Sequence, residues 1–99
     1  MITVQNIIEW SKPHPNKMEG ARILRIHNDE IEASIVGGCQ GLYGDFAEDF
    51  ELAIFDRKSD EFITRFFFPE KEDDVVGYLD GEKLVEFLNN VFQKGFQVR

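Results

Sequence analysis

Ninety-nine residues suffice for one domain with a single closed core and leave no room for a second, and a hydrophobic content of 42% with ten Phe excludes a disordered acidic tail. The net charge of −8 is uneven: Lys12, Lys17, Arg22 and Arg25 outnumber Glu9 and Glu19 in residues 1–27, Lys94 and Arg99 meet no acid in residues 87–99, and the whole negative excess falls between residues 28 and 86. Such a field repels phosphate backbones and attracts a basic partner, so direct nucleic-acid binding is not expected.

Thr3 is placed to cap a short helix whose apolar positions are Val4, Ile7, Ile8 and Trp10, with Ile2 and Ile7 spaced as a hydrophobic staple. The helix should end by Ser11 or Lys12, because Pro13 pushes the residue before it out of the helical region. Residues 13–16 read as a loop. Two strands follow at residues 21–27 and 30–36, joined by a turn at Asn28 and Asp29. In the second, Ile31, Ala33 and Ile35 alternate with Glu30, Glu32 and Ser34, which predicts one buried and one solvated face.

Residues 37–49, GGCQGLYGDFAED, are the only glycine-rich stretch, with glycines at 37, 38, 41 and 44. Glycines at this density permit positive φ and close backbone approach, which a bulge, a wide connection or a binding loop would each use. The next run, FELAIFDRKSDEFITRFFF at residues 50–68, reads as a hairpin of two apolar strands around a polar turn at residues 56–60. Phe62, Thr64, Phe66 and Phe68 would share one face of the second strand, and Ile63, Arg65 and Phe67 the other. Neither face is polar, so both would need cover, from the protein's own helices and loops or from a partner.

Pro69 stops that strand, residues 70–74 form an exposed acidic link, and Val75, Val76, Tyr78 and Leu79 read as an extended segment. Asp80 caps a final helix over residues 81–93, with Leu84, Val85, Leu88, Val91 and Phe92 on its buried stripe and Phe87 widening it. Lys94 and Gly95 end it, and Phe96 is placed to close a Schellman cap against Val91. The expected fold is α+β, a four-stranded antiparallel meander flanked by an N-terminal and a C-terminal helix, in the order α-β-β-β-β-α.

No catalytic motif emerges. Asp45, Glu48, Asp49 and Glu51 could offer oxygen ligands, but their spacing does not match an EF-hand loop. His14, His27 and Cys39 have no zinc-ligand spacing, and no Gly-Lys-Ser or Gly-Lys-Thr follows the glycines. No cofactor or metal is expected. The lone Cys39 excludes an intrachain disulfide and fits a reducing compartment, MITVQNIIEW lacks the pattern of a secretion signal, and no stretch reaches the length of a membrane span. A cytoplasmic protein without membrane contact is expected.

Two binding modes fit the residues. In one, the chain binds a protein partner or itself through the Phe-rich sheet face and the glycine loop, with Leu42, Tyr43 and Phe46 as anchors and Asp45, Glu48, Asp49, Asp73 and Asp74 as charged contacts. In the other it mimics nucleic acid, presenting Glu48, Asp49, Asp56, Asp60, Glu61, Glu70, Glu72, Asp73 and Asp74 to a basic nucleic-acid-binding protein. An enzyme using Cys39 or the loop carboxylates is the third reading. Each is compatible with a monomer or a weak homodimer.

The stretch IVGGCQGLYGDFAEDFELAIFD, residues 35–56, with its Gly-Gly, its Gly-Leu-Tyr-Gly-Asp-Phe and the apolar strand after them, resembles small uncharacterised proteins of tailed bacteriophages and prophages. The resemblance covers the central quarter of the chain and carries no site residue. It implies a protein made in a bacterial cytoplasm, an accessory or host-modulating factor.

Overall fold

A computed structural model describes residues 1–16, 19–39 and 42–99. Helix α1, Val4–Trp10, opens on a capping box in which the Asn6 amide donates to Thr3 Oγ1 (3.1 Å) and the Thr3 amide to Asn6 Oδ1 (3.0 Å). It stops at Ser11, whose backbone is extended ahead of Pro13. Helix α3, Gly81–Val91, starts on Asp80, whose carboxylate accepts from the Glu82 amide at 2.8 Å. The two helices are tied by Asn89, which accepts from Ile2 N (2.7 Å) and donates to Ile2 O (2.9 Å). Past α3, Phe96 stacks on Trp10 (5.8 Å) and Phe92 (6.3 Å).

Among the described residues six strands form one antiparallel sheet: β1 Lys12–Pro13, β2 Arg22–His27, β3 Ile31–Gly37, β4 Asp49–Asp56, β5 Val75–Asp80 and β6 Gln97–Val98. The order is β1-β2-β3-β4-β5, and β6 pairs with β2. Strand β2 meets β1 through Arg22 and Ile23 and β6 through Ile26 and His27, so two short strands share one edge and blunt it. Leu24, Ile26, Ala33, Ile35, Phe50, Leu52, Ile54, Val76 and Leu79 form the sheet side of the core, against which Ile2, Ile7, Leu84, Leu88 and Phe92 pack. Burial on this scale stabilises by roughly 1.5–3 kcal/mol for each large apolar side chain.

The second strand of the expected hairpin is not formed. Phe62 makes a single bridge to Phe55, Ile63 N donates to Ile54 O (2.8 Å), and Thr64–Phe67 is a one-turn helix, α2, followed by a 3-10 turn at Pro69–Lys71. The cause is Thr64, only 1% exposed. Its Oγ1 accepts from Ile54 N at 2.9 Å and donates to Asp74 O at 2.6 Å, so a side-chain hydroxyl takes the place of a ladder carbonyl and bends the chain away. Strand β5 then becomes the neighbour of β4, pairing Val75 with Ala53. The phenylalanines therefore do not divide between two sheet faces. Phe67 and Phe68 pack on Phe87 of α3 (5.5 and 5.3 Å), Phe62 stacks on Phe55 (4.6 Å), and Phe66 stays exposed.

The expected solvated face of β3 also differs. Glu32 and Ser34 are both buried, at 4% and 8% exposure. Glu32 accepts from Arg25 at 2.7 Å and from Arg99 at 2.9 and 3.0 Å, while Arg25 also lies over the Phe55 ring at 5.7 Å. Burial pulls the Glu32 carboxyl up, but the hydrogen bonds and charges of the two arginines together outweigh it and hold the group below the ordinary glutamate range.

Two outcomes follow from these buried polar groups. Thr64→Val leaves Ile54 N–H and Asp74 C=O without their partner and should cost roughly 2–4 kcal/mol in urea unfolding; a loss below about 0.5 kcal/mol would contradict the role of the hydroxyl. Glu32→Gln should cost about 1–3 kcal/mol at pH 7. Because the folded-state pKa is depressed, the Glu32 contribution is complete above the ordinary glutamate pKa and is lost as pH falls through the folded value. The gap between wild type and variant should therefore narrow in unfolding curves taken on acidification, and a gap constant with pH would refute the assignment.

Candidate interaction site at the sheet edge

The glycine-rich connection between β3 and β4 folds around one carboxylate. Asp45 Oδ1 accepts from the amides of Ala47 (2.9 Å), Glu48 (2.8 Å) and Asp49 (3.1 Å), and Asp49 Oδ1 accepts in return from Asp45 N (2.7 Å). These amides, that of Asp49 first, hold the Asp45 carboxyl at a pKa of about 2. Phe46, at φ 59°, turns inward, is 6% exposed and meets Phe50 edge to face at 5.1 Å. Its ring belongs to the core and is not presented to a partner. Gly38, at φ 94°, passes so close to Gly20 that a Cβ on it would lie 2.5 Å from Gly20 O. Gln40 and Gly41 of the same stretch lie outside the described residues.

The loop lays Tyr43 on the outer edge of β5, where Tyr43 O accepts from Tyr78 N at 2.7 Å. Gly77 makes the fit possible, since a Cβ there would lie 2.7 Å from Tyr43 Cβ. The pairing of β4 with β5 shifts between Phe50 and Leu52, which face Leu79 and Val76, so Gly77 and Tyr78 oppose Glu51 alone. This is a β-bulge, and it places Tyr78 at φ 51°, a sparsely populated conformation for a bulky residue. The bulge turns the Tyr78 ring outward beside that of Tyr43, with centroids 5.8 Å apart and exposures of 67% and 51%. Leu42, Cys39, Asp45, Asp49 and Tyr78 border a cavity of about 400 Å3.

Two carboxylates, Asp45 and Asp49, border the same cavity as Tyr78. Asp49 is the cross-strand partner of Asp80, and Glu48 O accepts from Gly81 N at 3.1 Å, which brings Asp45, Glu48, Asp49, Asp80 and Glu82 to one end of the sheet. No Lys or Arg occurs between Arg25 and Arg57 or between Lys71 and Lys83. Asp73 and Asp74 lie apart, at the other end of β5. Asp74 pairs with Arg65 at 3.1 Å, and Asp73 accepts from Asp74 N at 2.7 Å.

The structure thus brings together Leu42, Tyr43, Asp45, Glu48 and Asp49, leaves Asp73 and Asp74 a strand length away, and adds Tyr78, Asp80 and Glu82, which sequence reasoning missed. The residues of VVGYLD hold a partial signal for Tyr78: the apolar Val76 and Leu79 lie three apart, out of step with a regular strand, and the structure buries both through a bulge. His27 pairs with Glu32 at the far end of β2 from Gly37, so it supplies no base to Cys39. Among the described residues no three His, Cys, Asp or Glu side chains gather as a metal site, and no helix is long and apolar enough to cross a membrane.

Because three amides hold Asp45 in its charged form, the loop should keep its shape well below the ordinary aspartate pKa of 3.8. In an NMR titration the amides of Ala47, Glu48 and Asp49 should move with a midpoint near pH 2, and Asp45→Asn should speed their hydrogen exchange. A midpoint at the ordinary aspartate value would contradict the bonding described. No family model, curated protein or solved structure matches the chain.

Proposed function

We propose that this chain is a non-enzymatic interaction domain that binds a basic protein through the β5 edge, with Tyr43 and Tyr78 as anchors and Asp45, Glu48, Asp49, Asp80 and Glu82 as the surrounding charged rim. The observation that carries this reading is the tyrosine pair itself: two rings more than half exposed, one held on left-handed backbone, both secured by a main-chain hydrogen bond. Rigid, amphipathic aromatics are the residues that dominate binding energy at protein interfaces, because they bury much area for little lost side-chain freedom. The acidic rim would speed encounter with a basic surface and disfavour acidic partners.

Charge mimicry of nucleic acid draws on the same acidity. One of the carboxylates it would use, Asp74, is however neutralised within the fold by Arg65. The setting we propose, a factor made in a bacterial cytoplasm and acting on a host protein as a monomer or weak homodimer, rests on the phage resemblance of residues 35–56.

The test compares wild type with Tyr43→Ala/Tyr78→Ala and with Gly77→Ala, which drives a methyl group into Tyr43. Each is used to capture partners from nuclease-treated bacterial lysate at low and high salt. Basic proteins held by wild type should be lost by both variants, and each tyrosine should contribute about 2 kcal/mol, a factor of about 30 in Kd. Capture unchanged by either variant would reject the tyrosine edge, and release by salt alone would favour mimicry.

A further inference from the structure

A second concave site lies where the turn between β2 and β3, the turn after β4 and the chain after α3 converge, around a cavity of about 620 Å3. That volume falls in the range of small-molecule sites. Its walls are fastened from within. Arg57 Nη1 donates to Asn28 O at 2.7 Å and contacts His27 Nδ1 at 2.8 Å, while Arg57 N donates to Glu30 O at 3.0 Å. Asn28 Oδ1 accepts from Glu30 N and Ile31 N at 2.8 and 2.9 Å. His27 Nδ1 lies 2.8 Å from Arg57 Nη1 and 3.3 Å from Asn28 O; a guanidinium only donates, so the shorter contact is the one made by the tautomer with its proton on Nε2. Phe96 contributes a ring 38% exposed, backed by Trp10 and Phe92.

The charges on this wall are matched. Arg57 and Lys94 supply two cations, and Asp29 and Glu30 supply two anions. The ion pairs among the described residues use Arg25, Arg65, Arg99, Glu32 and Asp74, so none of the four is neutralised in a salt bridge. A polyanion would meet Asp29, Glu30 and the field of a chain of charge −8. A simple cation would meet Arg57 and Lys94. A ligand bearing both charges at separate points gains from each pair, and an apolar group on it would cover Phe96.

We propose that this cavity binds a small zwitterion, an α-amino acid with an aromatic or other flat apolar side chain. Its carboxylate would lie toward Arg57, Lys94 and the Nε2–H of His27, its ammonium toward Asp29 and Glu30, and its side chain on Phe96. The site is separate from the tyrosine edge and stands or falls independently of it.

The experiment is a two-dimensional amide NMR titration of the full chain with L-phenylalanine, with L-phenylalaninamide, which lacks the carboxylate, and with N-acetyl-L-phenylalanine, which lacks the ammonium. L-Phenylalanine should give saturable shifts at residues 28–31 and 95–97, and removing either charge should weaken binding about tenfold, or about 1.4 kcal/mol. Lys94→Met should weaken L-phenylalanine but not the amide, and Glu30→Gln should weaken L-phenylalanine but not the acetylated form, with unchanged amide spectra elsewhere reporting an intact fold. Absence of saturable shifts, equal binding of the three probes, or affinities indifferent to both variants would overturn the proposal.

Discussion

The buried hydroxyl of Thr64 decides the shape of this sheet. By taking the Ile54 amide that a neighbouring strand would have used, and by reaching Asp74 O with its own proton, it ends one pairing and begins another within a single side chain. After the bridge at Phe62 the chain leaves the sheet for twelve residues, 63–74, and returns as β5. That return makes β5 an edge, and the bulge in it, together with the overlying Tyr43, blunts the edge as a template for further strands. The opposite edge is blunted by the two-residue strands β1 and β6. A sheet guarded on both sides is suited to contacts made by side chains, and the exposed tyrosines present such side chains.

Charge is laid out across the same sheet. Strands β1 and β2 carry Lys12, Arg22, Arg25 and His27 with no acid, and Arg99 follows β6, whereas β4 and β5 carry Asp49, Glu51, Asp56 and Asp80 with no base. Glu32 on β3 sits between these fields and binds the basic side to itself through Arg25 and Arg99. The acidic tyrosine edge and the mixed-charge cavity beside His27 therefore belong to different electrostatic environments, although both are built on one small sheet.

Much of this was legible in the residues. Thr3 and Asp80 mark both main helices, hydrophobic periodicity locates their buried faces, and β2, β3 and β4 follow from alternation and turn residues. What escaped was set by partners far along the chain. The run from Phe62 to Phe68 has strand composition, and only the non-local fit of Thr64 between Ile54 and Asp74 converts it to a turn of helix. Glu32 looks solvent-facing by alternation, yet its second partner, Arg99, is 67 residues away. In the candidate site, the glycines and Tyr43 pointed to the loop, but Phe46, at φ 59°, is buried against Phe50 instead of exposed beside Tyr43. Tyr78 reached the site through a register shift that the spacing of Val76 and Leu79 hints at but whose partner strand, β4, lies more than twenty residues earlier.

The clasp between Ile2 and Asn89 joins segments 87 residues apart. On a ribosome, α1 emerges well before the helix it docks against. Until α3 follows, the apolar side of the meander has only part of its cover, with Leu84, Leu88 and Phe92 still to arrive. Strand pairing can begin before then, since β2, β3 and β4 are joined by local connections, but the core closes only once α3 has followed. Until then the nascent chain is an incompletely covered sheet, and the acidity concentrated in residues 28–86 gives that intermediate a repulsive surface against its neighbours on the same message.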